Sequence, residues 1–314
     1  MNDIVKISVI IPTYNRADTI LYCLESILKQ TYPVHEIIIV DDVSTDATED
    51  VILKLNNPKV KFISLDKKGG AQAARNLGIY LAEGNWIAFQ DSDDEWRHDK
   101  IQKQVDALKQ HGYNENIVVH TNCITYTPST NVFEAFEIPV IDGESNKVYR
   151  QLLLYPSPLF PTLLVSKKAL ERINYLDTHV KSFQEWDTCI RLAQNCRFIH
   201  IQEPLFVYHL HNGATISKDV KNEIKGYYFI RSKFKSEIIA NFGNTYFYVD
   251  VFWIVLRALK HHYQDVVFEI ISEQFSNQKV FLNFTQSLSG HDTILSWLIR
   301  LTYKLKDLAV KNKI

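Results

Sequence analysis

Cysteine is scarce in this chain of 314 residues. The four present, Cys23, Cys123, Cys189 and Cys196, form no C-x-x-C pair, which argues against a zinc knuckle and against a disulfide framework. Free buried thiols in a reducing cytosol are the expectation. An excess of either charge is also missing, since 35 Lys and Arg face 36 Asp and Glu. The basic surplus of a nucleic-acid binder is absent, so no nucleic-acid partner is expected. No apolar run reaches the ~18 residues of a membrane span. The most apolar late stretch, 249–259, is interrupted by Asp250 and Arg257. No charged, apolar and small-residue series precedes the first strand pattern, so no signal peptide and a cytoplasmic location are expected. Two nucleotide signatures are lacking as well. There is no G-x-G-x-x-G after the first strand and no G-x-x-x-x-G-K-[ST], which argues against a nicotinamide dehydrogenase and against a P-loop NTPase.

What is present is an ordinary globular composition, 46% hydrophobic and 23% charged, in a chain long enough for a large core. The first hundred residues alternate between two periods. Residues 6–12, 36–40, 60–65 and 86–90 are β-branched apolar runs, and 18–30, the stretch after Asp46, and 71–82 carry helical spacing. Asp18 and Asp46 are candidate N-caps. Continuous apolar strands alternating with helices predict parallel strands covered on both faces. Right-handed crossovers then bring every strand's C-terminal end to one edge, where open α/β sheets bind ligands. The tips there are Thr13-Tyr14-Asn15-Arg16, Asp41-Asp42 and Asp91-Ser92-Asp93, all polar.

From about residue 117 the pattern changes. Strands are expected at 117–126 and 132–140, an irregular crossing at Pro156, Pro158 and Pro161, a helix at 184–193, and a strand pair at 198–208 interrupted at Pro204. After about 217 the spacing is helical, at 218–239, 246–261, 264–275 and 293–309. The expected organisation is therefore 1–216, divided near 116, followed by a helical region 217–314.

Several residues could carry chemistry. Asp91 and Asp93 lie two apart, and on an extended chain they would point the same way. Paired carboxylates suit a hard divalent cation; helix capping, with Asp94 as N-cap of a helix starting near Asp99, is the alternative. Asp42 is either a turn residue or an acceptor for ligand N–H and hydroxyl groups. Gly69 to Asn76 is either a ligand-approaching turn at a helix N-terminus or close helix-on-sheet packing. Glu185 is either a first-turn acid or a general base whose proton affinity is raised by desolvation against Trp186. His209 and His211 are either surface histidines or ligands for metal or phosphate.

Taken in order, ISVIIPTYNR (7–16), IIVDDVSTD (38–46), GAQAARNLG (70–78) and FQDSDD (89–94) resemble family 2 glycosyltransferases. QEWDTCIRL (184–192) and PLFVYHLHNGATIS (204–217) are similar to the acceptor-half signature of that family. The resemblance spans residues 5–217. It implies the GT-A fold, a mostly parallel sheet flanked by helices with a nucleotide-binding half (1–116) and an acceptor-binding half (117–216). It also implies inverting transfer from a UDP-sugar to a saccharide hydroxyl in surface polysaccharide or lipopolysaccharide synthesis. By the same resemblance Pro12, Thr13, Tyr14 and Asn15 form the loop under base and ribose, and Asp42 meets the uracil. Gly70 and Arg75 line the donor region. Asp91-Ser92-Asp93 is the D-x-D element: Asp93 holds Mn²⁺ or Mg²⁺, and Asp91 holds the ribose or the metal's shell. His209 completes the metal site, with His211 as runner-up. Glu185 is the base; many members carry Glu-Asp here, where this chain has Gln184-Glu185, and Asp187 is a nearby competitor.

Loops around 90–98 and 155–162 are expected to choose the donor sugar. Residues 294–306 (ILSWLIRLTYKLK) are either a packed helix or a membrane-surface helix, the latter suiting a peripheral enzyme and a lipid-linked acceptor. The helices of 218–276 could form a homodimer. A sugar-1-phosphate nucleotidyltransferase lacks support because 12–18 reads PTYNRAD, without the glycine-rich basic signature. An inactive nucleotide-sugar binder is disfavoured by the retained Asp42, Asp91, Asp93 and Glu185.

Overall fold

The computed structural model describes residues 5–136, 140–156, 158–210, 219–275, 278–288 and 291–311, with the backbone alone at 278–282 and 307–311. The chain divides into two compact units, 1–179 with 184–213, and 180–183 with 214–314.

The first unit opens with β1 (Ile7–Thr13), α1 (Ile20–Leu28), β2 (Glu36–Asp41), α2 (Thr48–Lys54), β3 (Val60–Ser64), α3 (Ala71–Leu81) and β4 (Trp86–Phe89). It continues with β5 (Glu95–Trp96), α4 (Lys100–Gln110), β6 (Ile117–Thr127), β7 (Val132–Phe136), α5 (Ser145–Leu152), β8 (Leu164–Ser166), α6 (Lys167–Arg172), α7 (Gln184–Ala193) and β9 (Arg197–His209). The strands form one sheet in the order β3-β2-β1-β4-β8-β6-β9-β5, and β7 pairs with β6 outside that path.

The four strands of the first half are parallel, with Thr13 opposite Asp41 and Asp41 opposite Ser64. All of β2 and nearly all of β1 is buried, as expected for strands covered on both faces. The helix cover is close: a Cβ on Gly78 of α3 would stand 2.6 Å from Ile10 Cγ2, so only glycine lets this helix sit on β1. In the second half β8 runs antiparallel to β4 and β6, while β9 returns parallel to β6.

The expected break at Pro204 is absorbed within one strand. β9 runs through it, and its register against β6 slips on either side of Asn122, which pairs with Pro204. A bulge tolerates a residue with no ladder N–H. β7 covers the start of the expected strand at 132–140, and residues 137–139 lie outside the described residues. Helices α5 and α6 and strand β5 were not legible in the pattern, being too short for a period to register.

Two expected caps differ. Asp18 does not cap α1, which starts behind Thr19 without a side-chain cap. Asp94 does not cap α4, which starts at Lys100; its carboxylate is buried and accepts the His209 backbone N–H at 2.7 Å. Asp46 does act at the start of α2, accepting the Thr48 N–H at 3.0 Å. All four cysteines are free and buried.

The second unit is helical: α8 (Val220–Lys233), α9 (Lys235–Lys260), α10 (Gln264–Gln274), α11 (Gln278–Leu288) and α12 (Asp292–Lys311). One continuous helix over 218–239 gives way to a break at Phe234. α9 is interrupted at Gly243 (φ 86°), a backbone conformation that glycine alone adopts freely. The core of this unit holds an ionic group. Asp250 is fully buried, takes Arg231 Nε at 2.5 Å, and also pairs with the Lys306 ammonium. Among the described residues no helix is long and apolar enough to cross a membrane.

Candidate active site

The C-terminal ends of β1, β2 and β4 meet along one rim. β1 delivers Pro12 and Thr13, and the Asp42 N–H donates to the Thr13 carbonyl at 2.8 Å, tying the first two tips together. Beyond Thr13 the chain turns sharply, and Asn15 takes φ +51°. That conformation suits asparagine, and its side chain secures it: Asn15 Oδ1 accepts the Thr45 N–H at 2.8 Å, while Ser44 Oγ accepts the Asn15 N–H at 2.8 Å. Tyr14 projects outward, with Lys68 Nζ 3.9 Å from its ring centroid and 2.6 Å from its hydroxyl.

Asp42 accepts the N–H groups of Gly69 (2.6 Å) and Gly70 (3.1 Å). It therefore holds the glycine turn that starts α3, where Gly70 has φ +79°. A carboxylate has about four lone-pair sites, so acceptor capacity remains for a ligand.

Asp91, Ser92 and Asp93 follow β4 in a turn, not a strand. The side-by-side carboxylates expected from extended geometry are consequently replaced by two separate ion pairs. Asp91 takes Arg75 Nη2 at 2.7 Å, and Asp93 takes Arg16 Nη2 at 3.1 Å. Burial raises the Asp91 carboxyl above the ordinary carboxylate range, opposed by the Arg75 charge and assisted by Asp93. Backbone contacts clamp the turn: Thr19 Oγ1 donates to the Ser92 carbonyl (3.0 Å) and the Tyr22 hydroxyl to the Asp93 carbonyl (2.7 Å).

Arg75 is the hub of the rim. It is buried, and a phenyl ring, Phe160, lies 4.7 Å from its guanidinium carbon. One amino group meets Asp91, and the other donates to Gln184 Oε1 (3.1 Å) and Gln72 Oε1 (3.2 Å). The fork thus connects the turn after β4 to the first residue of α7, immediately before Glu185. Glu185 is half-buried. Burial raises its proton affinity and Asp91 adds to the rise, against a backbone N–H and the Arg75 charge.

Trp186 is not the wall behind Glu185. It is fully buried on the core side, donating its indole N–H to the Leu152 carbonyl at 2.6 Å, because adjacent helical residues do not face each other. Asp187 is also turned inward, bound to Arg191 Nε (2.8 Å) and Nη2 (2.7 Å).

His209 ends β9. Its ring stacks on Tyr22 at 5.0 Å and meets Tyr126 edge-on at 5.1 Å. Among the described residues its buried Nε2 has no hydrogen-bond partner, and it stands 3.8 Å from Glu95 Oε2. His211 lies outside the described residues. Among the described residues no three His, Cys, Asp or Glu side chains converge to hold a metal. Tyr22 links the two ends of the expected metal set, since its hydroxyl meets the Asp93 backbone carbonyl and its ring stacks on His209, while the Asp93 carboxylate is paired with Arg16.

Sequence reasoning did not assign Arg16, Tyr22, Lys68 or Phe160. Each acts through a partner on another element, which no local pattern signals. A separate cavity of about 310 Å³, lined by His111, Asn116, Glu144 and Arg197 among others, lies at the starts of β6 and β9, away from this rim.

Residues 8–155 match the family model described as glycosyl transferase family 2. Over those residues the chain is similar to that family. The chain is 28% identical over 227 residues to the UDP-Glc:alpha-D-GlcNAc-diphosphoundecaprenol beta-1,3-glucosyltransferase WfaP of Escherichia coli, covering 70% of this chain and 83% of that protein. It is 40% identical over 100 residues to the succinoglycan biosynthesis protein ExoO of Rhizobium meliloti, covering 32% of this chain and 29% of that one. The chain thus spans from 29% to 83% of the length of curated relatives it matches. Its fold is similar to that of S. aureus TarS 1-349 in complex with UDP-GlcNAc, with TM-score 0.61 and 19% identity over 96% of this chain and 92% of that one. The GT-A architecture follows from that likeness.

Proposed function

We propose that this glycosyltransferase moves a sugar, with inversion, from a UDP-sugar to a hydroxyl of a lipid-linked saccharide in surface polysaccharide synthesis. The observation that carries this reading is the Arg75 fork. It joins Asp91 of the nucleotide rim to Gln184, so that Glu185 stands next to the donor-binding side chains on a separate element. The names of the relatives support the substrate class, one being described as acting on a sugar attached to diphosphoundecaprenol.

In this reading Pro12, Thr13, Tyr14 and Asn15 underlie the nucleoside, with Tyr14 against the base and Asp42 accepting from the uracil. Gly70 and Arg75 line the donor, and Ser92 and Asp91 face the ribose. Asp93 and His209 would hold Mn²⁺ or Mg²⁺, which when bound neutralises the diphosphate. Glu185 takes the proton from the acceptor hydroxyl, and the oxygen attacks the anomeric carbon opposite the leaving group. The bond to the UDP oxygen breaks and one configuration inverts. A single base suffices, unlike the carboxylate pair of hydrolases. Asp187 takes no part, since its buried carboxylate is committed to Arg191.

The test is Glu185→Gln. Loss of a general base lowers transfer about 10²–10⁴-fold, while UDP binding by calorimetry is retained. Transfer at near wild-type rate would refute the base assignment. The base must be ionised, so activity falls as pH drops. Because burial raises the Glu185 carboxyl, that fall begins at higher pH than for an ordinary carboxylate. Screening UDP-glucose against UDP-N-acetylglucosamine identifies the donor.

A further inference from the structure

Helix α12 has two working sides. One is docked within its own unit: Leu295 (0% exposed), Thr302 (5%) and Lys306 (8%) face inward. The Lys306 ammonium pairs with Asp250 of α9 and lies 4.8 Å from the Trp253 ring centroid. The other carries Ile294, Trp297, Leu301 and Leu305, all exposed, with Trp297 at 61%. Their spacing of three, four and four aligns them in one stripe. Arg300 and Lys304, four apart and both exposed, border the stripe on the side away from the docked face.

An amphipathic helix with a tryptophan in its apolar stripe and cations along one edge has the chemistry of a bilayer interface. The charge sign selects anionic headgroups. Four side chains on three turns fall well short of the roughly 20–30 residues a side that a stable protein interface uses. We propose that α12 lies in the surface of an anionic bilayer. Ile294, Trp297, Leu301 and Leu305 enter the acyl boundary, and Arg300 and Lys304 meet lipid phosphates. The packed and membrane-surface alternatives for this helix are then both realised, on different faces. The inference goes beyond the transfer reaction and is tested without donor or acceptor, so either can fail alone.

The experiment is co-sedimentation of the full chain with vesicles of phosphatidylcholine plus phosphatidylglycerol, and with phosphatidylcholine alone. Wild type pellets with the first and much less with the second. Trp297→Ser with Leu301→Ser lowers the partition coefficient about tenfold or more, and Arg300→Glu with Lys304→Glu lowers it about fivefold per charge. Raised salt weakens wild-type binding. Wild-type melting temperature and UDP binding in both variants exclude unfolding; should the apolar pair lower the melting temperature, Trp297→Gln alone carries the test. Equal pelleting of wild type and variants overturns the proposal. So does a light-scattering dimer that the apolar variant dissolves without any vesicle binding, which would assign the stripe to a second copy.

Discussion

Carboxylates face arginine in both units, with opposite consequences. At the rim of the first unit the Asp91 side chain is 35% exposed against Arg75, and Asp93 is 16% exposed against Arg16 at 25%. In the second unit Asp250 and Arg231 are exposed by no more than 1%, closed over by tyrosine rings and by Lys306. The same ion pair is therefore open chemistry in one place and a sealed fastening in the other. The rim carboxylates keep contact with solvent although Arg75 is itself buried, so they can meet a nucleotide, whereas the sealed group has no open side and must keep every partner. Exposure, not residue type, separates binding groups from structural ones.

Breaking the sealed group should have the largest effect. Asp250→Ala strands Arg231 and Lys306 as buried cations and should cost about 3–5 kcal/mol of stability in urea unfolding. Replacing all three by apolar residues of similar volume should restore most of it. Asp91→Ala, by contrast, should lower the unfolding midpoint less, because the one cation it leaves, Arg75, keeps Gln72 and Gln184 as acceptors, and should weaken UDP-sugar binding. Equal destabilisation by the two alanines would erase the contrast.

A buried histidine in the first unit sharpens the same point through pH. The His120 ring donates from Nε2 to the Ile141 carbonyl at 2.7 Å and stacks on His200 at 4.5 Å. Burial lowers its pKa from 6.5 to about 3. The unfolded chain then binds a proton below about pH 6.5 that the folded chain refuses until about pH 3. Stability should fall with acidification across that window, by up to about 1.4 kcal/mol per pH unit. His120→Gln, which keeps a donor for Ile141, should flatten the slope in pH-dependent unfolding, leaving a smaller part from His200, whose pKa burial also lowers.

The smallest expected effect is at the rim hub. Arg75→Lys keeps the charge but loses the fork between Asp91 and Gln184. Transfer should drop about tenfold, or about 1.4 kcal/mol of transition-state stabilisation, with an unchanged melting temperature. A variant as active as wild type would remove Arg75 as the link to Glu185.

Much of the first unit was legible. Strands β1, β2 and β4 announce themselves because both faces are buried, which forces runs such as Ile37–Ile38–Ile39–Val40, and crossover handedness then fixes the edge at which Asp42 and Asp91 arrive. The second half of the sheet was less so. β8 and β5 are three and two residues long, and Pro204 reads as a break because the bulge that accepts it lies in the pairing with β6.

The sequence by itself determined the alternation of elements, the polar tips at one rim and the amphipathic character of α12, since these depend on period and local residue type. Only the tertiary structure decided that Asp91 and Asp93 part to separate arginines, that Trp186 and Asp187 turn inward from Glu185, and that Lys306 fastens α12 while Trp297 stays in solvent. Those outcomes depend on which distant side chain supplies a partner and on how much water is lost, and neither quantity is written in local spacing.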